Sequence, residues 1–152
     1  MNTQSIPLGS AADVERGGAQ LAAVLRPGDV LLLEGELGAG KTTLARGLLR
    51  GLGLAGEAPS PTFAIVQGYE PPDVSLPIAH VDLYRLDDPE DVTELGLDDW
   101  LADGALMIEW PDRLAGRFDR IALKLTIEFA PDGGRLLTAH VPKSWESRWP
   151  RI

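Results

Sequence analysis

The chain reads as a three-layer α/β protein: a sheet with a mostly parallel core, flanked by helices and carrying antiparallel hairpins. Three observations predict this. The apolar run Val30-Leu31-Leu32-Leu33 leads into Gly35-Glu36-Leu37-Gly38-Ala39-Gly40-Lys41-Thr42, and a helical pattern follows at Leu44, Ala45, Leu48, Leu49 and Leu52, closed by Gly53. A second uninterrupted apolar run, Ala105-Leu106-Met107-Ile108, is too short for a helix and reads as a strand buried on both faces. Toward the C-terminus Ile121, Leu123, Leu125, Ile127 and Phe129 alternate with Ala122, Lys124, Thr126 and Glu128, the pattern of a strand with one covered face.

The remaining elements follow in order. Ser10 with Asp13 resembles a capping box, and Val14, Leu21, Val24 and Leu25 form one apolar stripe, so a helix is expected to run to about Leu25. Arg26-Pro27-Gly28-Asp29 then turns the chain into the central strand. Residues 53–61 are rich in glycine and proline and form a loop. Residues 63–69 and 78–82 are strand-like runs joined around Pro71-Pro72-Asp73, so they pair as a hairpin rather than through a crossover. Asp88-Pro89 opens a short helix, and Asp98 is positioned to cap a further helical turn with Trp100 and Leu101. Pro131-Asp132-Gly133-Gly134 is a turn, and Leu137, Ala139 and Val141 complete a C-terminal hairpin.

A length of 152 residues fits a single domain over 1–152, with residues 143–152 as a candidate tail. No cysteine is present, which excludes a disulfide framework and a Cys-ligated zinc site and fits a reducing cytoplasm. No run approaches the roughly 18 apolar residues of a membrane span, so a cytoplasmic protein without membrane contact is expected. The net charge of −9 argues against autonomous binding to DNA or RNA, because phosphate-backbone affinity comes from clustered Lys and Arg. The acidic residues between Asp82 and Asp119 read as helix N-terminal charge and solvated faces, with an acidic docking patch as the alternative.

The segment Gly35 to Thr42 fits G-x-x-x-x-G-K-[ST], a phosphate-binding loop between a strand and a helix. Gly38, Ala39 and Gly40 would turn backbone N–H groups inward as a nest, where a Cβ would clash or forbid the dihedrals. Lys41 would reach the terminal phosphates, Thr42 would offer its hydroxyl to Mg²⁺, and the helix start would add its dipole and unpaired N–H groups. Such a site also needs a strand-terminal acid to hold magnesium. Asp82 and Glu109 each end an apolar run, and spacing alone does not rank them. His80 shares a face with Asp82 and is placed either to orient that carboxylate or a water molecule, or to serve as an ordinary sheet histidine. In Ser60-Pro61-Thr62-Phe63 the Thr62 hydroxyl is a candidate γ-phosphate sensor, with a plain Ser-Pro turn as the alternative. Trp110 is open to three roles: stacking on adenine, anchoring a partner, or core packing. The tail carrying Trp145 and Trp149 reads as packed on its own domain, or else as an interaction epitope. The guanine-reading Asn-Lys-x-Asp segment is absent, so ATP is expected over GTP. Without an insertion long enough for a lid, the isolated chain would hydrolyse slowly.

Leu37-Gly38-Ala39-Gly40-Lys41-Thr42-Thr43, Ser60-Pro61-Thr62-Phe63, His80-Val81-Asp82-Leu83-Tyr84-Arg85, Glu94-Leu95-Gly96 and Glu109-Trp110-Pro111, in this order, resemble the TsaE family over roughly residues 8–140. The resemblance implies a cytoplasmic Mg-dependent ATPase required for N6-threonylcarbamoyladenosine in tRNA. It would work with a TsaD and TsaB heterodimer and meet tRNA only within that complex. By matching positions it gives Lys41 and Thr42 the phosphate and magnesium roles, Glu109 the second magnesium ligand, and Asp82 a water-orienting or catalytic role. Thr43 and Thr62 would contact phosphate or its switch, Arg135 of Gly134-Arg135 would lie near the nucleotide, and Ser10 would approach the adenine. Two other classes remain open: a small P-loop kinase with Arg113, Arg117 and Arg120 as a lid, and a binding module that holds ATP without hydrolysing it.

Overall fold

The computed structural model describes residues 2–36, 38–56 and 65–150. Among these the strands are β1 (Asn2–Leu8), β2 (Val30–Gly35), β3 (Val66–Tyr69), β4 (Ile78–Asp82), β5 (Ala105–Glu109), β6 (Leu123–Phe129) and β7 (Arg135–Val141). The helices are α1 (Ala11–Ala22), α2 (Lys41–Gly51) and the single-turn α3 (Asp91–Glu94). One sheet holds all seven strands in the order β1-β7-β6-β2-β5-β4-β3. Its middle is parallel, β6 with β2, β2 with β5 and β5 with β4, while β1, β7 and β3 join antiparallel. The mixed α/β class and both hairpins are as the sequence predicts.

Burial explains the strand patterns. β2 lies at the centre, and its run Val30-Leu31-Leu32-Leu33 is buried throughout because both faces are covered. Leu31 and Leu33 pack with Leu123, Leu125 and Met107 beneath α1 and α2. Val30 and Leu32 pack on the opposite face with Val81, Leu106 and Ile108, under Val92 of α3, Leu97 and Leu114. The second covering layer is therefore built from α3 and the 3₁₀ turns Leu97–Ala102 and Pro111–Leu114. Among the described residues no helix is long and apolar enough to cross a membrane.

Several boundaries differ from expectation. β1 is a strand that the sequence reading did not anticipate. Its residues are mostly polar or exposed, and only pairing with β7, from Asn2 opposite Val141 to Leu8 opposite Arg135, makes it one. α1 stops at Ala22 rather than near Leu25; Val24 and Leu25 continue with tighter i−3 bonds before Arg26, which Pro27 disfavours in helical geometry. Asp98 is not a cap, since Gly96 in left-handed geometry (φ 64°) begins that 3₁₀ turn and Asp98 sits inside it. β6 starts at Leu123, because Ile121 and Ala122 donate to Phe118 O in a preceding turn.

α1 and α2 approach closely through small residues. A Cβ on Gly47 would stand 2.0 Å from Glu15 O, and one on Gly18 would stand 2.2 Å from Leu44 O. Both obstacles are backbone, so the helices must separate to admit a methyl group. Alanine's better helix propensity offsets only about 1 kcal/mol. Gly47→Ala is accordingly expected to cost about 2 kcal/mol net, within the overpacking range, read as a lower denaturant midpoint at unchanged m-value. A variant as stable as the parent chain would show that the two helices are not locked together.

The C-terminal segment packs on its own domain. Trp145 is fully buried, and Trp149 donates its indole N–H to Gln4 Oε1 at 2.9 Å. Arg148 lies 4.0 Å from the Trp145 ring centroid and makes a two-point ion pair with Asp29.

Candidate functional site at the carboxyl ends of the parallel strands

β2 delivers the glycine loop to the sheet's upper edge. Gly35 at its end has φ 146°, and a Cβ there would stand 2.4 Å from Ile127 O of the neighbouring strand. Gly40 (φ 124°) occupies the N-cap of α2, and Leu44 N–H donates to Gly40 O at 2.8 Å as the helix begins. Ala39, buried between them, donates its N–H to Glu36 O at 3.0 Å. Arg135, from the first position of β7, donates Nε–H to Ala39 O at 2.9 Å and Nη1 to Gly134 O at 3.2 Å. Its guanidinium also lies 4.4 Å from the Phe129 ring centroid. The β6–β7 turn thus clasps the loop from outside.

Ser10 caps α1, its Oγ accepting the Asp13 N–H at 3.2 Å, as the capping pattern predicts. Asp13 returns a carboxylate oxygen to Gly9 N–H, and the Arg16 guanidinium bound to it holds its carboxyl below the usual range. The start of α1 adjoins the same turn, since a Cβ on Gly134 would fall 3.0 Å from Leu8 O. Val14 of α1 backs the loop at Gly40.

Lys41 opens α2 and is 5% exposed. Its Nζ has no hydrogen-bond partner and lies 3.7 Å from the centroid of Trp110. Burial pushes the Lys41 pKa down, and the carboxylates of Glu109, Asp82 and Asp112 pull it partly back. A buried ammonium without a hydrogen-bond partner is costly, and an anion at this point would offset that cost. Thr42 and Thr43 follow, half-buried in the first helical turn. Beside them a cavity of about 360 Å³ is lined by Lys41, Trp110, Glu34, Asp112 and Asp119 among others.

Asp82 and Glu109 end the adjacent parallel strands β4 and β5 directly opposite one another. Asp82 is half-buried, and its Oδ1 accepts the Tyr84 N–H at 3.0 Å. Glu109 is 4% exposed and accepts a hydrogen bond from His80 Nε2 at 2.6 Å. The expectation that His80 orients Asp82 is therefore corrected: its partner is Glu109, reached diagonally across the strand pair. Trp110, at φ 59°, packs against Lys41 and lies 4.9 Å centroid to centroid from Tyr84. That puts its ring beside the lysine ammonium; Trp110 follows β5 on one side of β2, whereas Arg135 begins β7 on the other. Thr62, with Ser60, Pro61 and Phe63, lies outside the described residues. Arg117, one of three candidate lid arginines, donates to Thr93 Oγ1 at 3.0 Å, and Arg113 lies 3.4 Å from Asp112.

Sequence reasoning missed Asp112, which acts on Lys41, and Phe129, which carries Arg135. Asp112 had a readable signal, standing three residues beyond Glu109. Phe129 had none, because its meeting with Arg135 depends on the hairpin register.

Together these features define an open α/β protein with loops and polar side chains gathered at the carboxyl ends of parallel strands, where ligands of such sheets bind. The family model described as threonylcarbamoyl adenosine biosynthesis protein TsaE matches residues 8–136. The tRNA threonylcarbamoyladenosine biosynthesis protein TsaE of Bacillus subtilis is 41% identical over 118 residues, 77% of this chain and 72% of that protein. Its counterpart from Streptomyces coelicolor is 44% identical over 113 residues, covering 68% and 76%. A crystal structure of Bacillus subtilis YdiB superposes with a TM-score of 0.76 at 32% identity, over 91% of this chain and 84% of that one. The chain belongs to the TsaE family.

Proposed function

We propose that this chain binds ATP with Mg²⁺ on the loop 35–42 and hydrolyses it in the service of threonylcarbamoyladenosine formation in tRNA, acting with TsaD and TsaB. The observation that carries the reading is the buried, unpartnered Lys41 Nζ at the end of a glycine loop and at the start of a helix. The relatives' names place them in tRNA threonylcarbamoyladenosine biosynthesis.

In this reading main-chain N–H groups of residues 38–40 and the Lys41 ammonium hold the phosphates, with Thr43 behind them. Arg135, which donates to Ala39 O, and Ser10 at the start of α1 would meet the nucleotide from the β7 side of the loop. Thr62 remains a candidate phosphate contact. The donor set fits a magnesium ion: Thr42 offers a hydroxyl and Glu109 a carboxylate. Among the described residues no group of three or more His, Cys, Asp or Glu could hold a metal alone, which suits an ion bound chiefly through phosphate oxygens and water. Magnesium, when bound, would draw charge from the transferring phosphoryl group. Asp82, half-buried opposite Glu109, orients the attacking water and takes its proton as the γ-phosphoryl group leaves ADP.

Asp82→Ala should therefore keep nucleotide binding within about twofold while lowering single-turnover hydrolysis about 100-fold, the lower end of the range for a general base. Equal loss of binding and turnover would refute that division of labour. The broader reading is tested by mixing the chain with a TsaD–TsaB heterodimer, tRNA, ATP and magnesium. Hydrolysis that stays at the isolated level, with modification independent of this chain, would sink it. A labelled product other than inorganic phosphate would favour a kinase instead.

A further inference from the structure

We infer that His80 is a positioning residue that fixes the Glu109 carboxylate for the divalent cation, an inference that rests on the nucleotide-binding reading above. The two strand-end carboxylates are held in different ways. Among the described residues Asp82 is tied to the Tyr84 N–H of its own turn, two residues on. Glu109 is held by a side chain from the neighbouring strand, at 2.6 Å, with His80 and Glu109 side chains only 2% and 5% exposed.

The sheet sets this up. In the β4–β5 register His80 stands opposite Met107 and Asp82 opposite Glu109, so His80 and Glu109 are diagonal neighbours on one face. Met107 and Ile78 on that face belong to the apolar core under α1 and α2. A polar pair placed there costs desolvation that an apolar pair would not, and such pairs do not as a rule add stability. An ionised carboxylate only accepts, so the imidazole hydrogen sits on Nε2. Among the described residues the buried Nδ1 has no hydrogen-bond partner, which leaves Glu109 as the ring's partner. The hydrogen bond occupies Oε2 and restricts the plane of the carboxylate, so that Oε1 would be the oxygen left for a cation. Outer partners of this kind typically govern metal affinity by about 10- to 100-fold.

The test measures ADP binding by calorimetry, once with Mg²⁺ and once with EDTA, for the full chain and for His80→Gln and His80→Ala. The expected result is metal-free ADP binding within about twofold of the parent chain, with the tightening produced by Mg²⁺ reduced about 10- to 100-fold. His80→Gln, which keeps an N–H donor, should recover part of that tightening. A variant that loses metal-free and Mg²⁺-dependent binding in equal measure would overturn the inference and leave His80 as a packing residue. An unchanged Mg²⁺ increment would overturn it too. Failure of the parent chain to bind ADP in either buffer would instead refute the nucleotide-binding reading itself. Should both variants unfold, ¹⁵N-histidine NMR of the parent chain decides, because it has only two histidines. His80 in the Nε2–H form, with a resonance that moves when Mg²⁺ joins the ADP complex, supports the inference. The Nδ1–H form, or a resonance blind to Mg²⁺, overturns it.

Discussion

Lys41→Ala is expected to weaken ATP binding roughly a hundredfold to ten-thousandfold. Among the described residues its buried ammonium has no hydrogen-bond partner, so its donors are available to phosphate oxygens. Two charge-assisted bonds at about 1.5–3 kcal/mol each give that range. Calorimetry with Mg-ATP measures it, and a loss below about fivefold would remove the lysine from the site. The same residue carries an opposite effect on the free protein. Burial lowers the Lys41 pKa below its ordinary 10.5, so the unfolded chain holds this proton more tightly than the folded one. Stability then rises with pH in the window between the folded-state value and 10.5, where only the unfolded chain keeps the proton. Lys41→Met, which removes the buried charge while keeping an apolar stem, should therefore raise the melting temperature of the nucleotide-free protein. A gain of about 1 kcal/mol would appear as roughly 3 °C in a chain of this size. Function and stability oppose each other at this one atom.

Arg148→Ala is expected to destabilise the fold by about 3 kcal/mol, the low end of the cost of leaving one member of a buried ion pair alone. Arg148 donates to both carboxylate oxygens of Asp29 at 2.6 Å and to Val24 O at 2.8 Å, with both charged side chains under 10% exposed. Among the described residues Asp29 would keep the Arg26 N–H at 2.7 Å. Val24 lies at the exit of α1 and Asp29 at the entry to β2, so this pair joins the C-terminal segment to the turn that launches the central strand. Chemical denaturation measures the loss. The Asp29→Asn, Arg148→Ala double variant should recover part of it, since no orphaned carboxylate remains; a cost below about 0.5 kcal/mol for Arg148→Ala would show that water reaches the pair freely. The family match ends at residue 136, before this clamp, and the clamp makes residues 143–149 part of the domain.

Much of the fold was legible because its signals are local. A continuous apolar run, strict alternation and a glycine loop between strand and helix each report a covalent neighbourhood, and β2, β5, β7 and α2 fall where those patterns place them, as does β6 apart from its first two residues. β1 was not legible, because a polar edge strand owes its form to hydrogen bonds with β7, far along the chain. The site divides in the same way. Lys41, Thr42, Glu109 and Asp82 stand in short motifs, and the structure brings Glu109 and Asp82 close enough to act on the lysine.

The sequence by itself determined the glycine loop, the lysine that follows it, the two strand-end acids and the α/β class, since each depends on backbone dihedrals and periodicity within a few residues. Tertiary structure alone decided which acid His80 serves, that Trp110 covers Lys41, that Arg135 clasps Ala39 and that Arg148 locks Asp29. Each of these pairs is set by strand register or by close packing between segments distant in sequence, and neither is encoded in any one stretch of the chain.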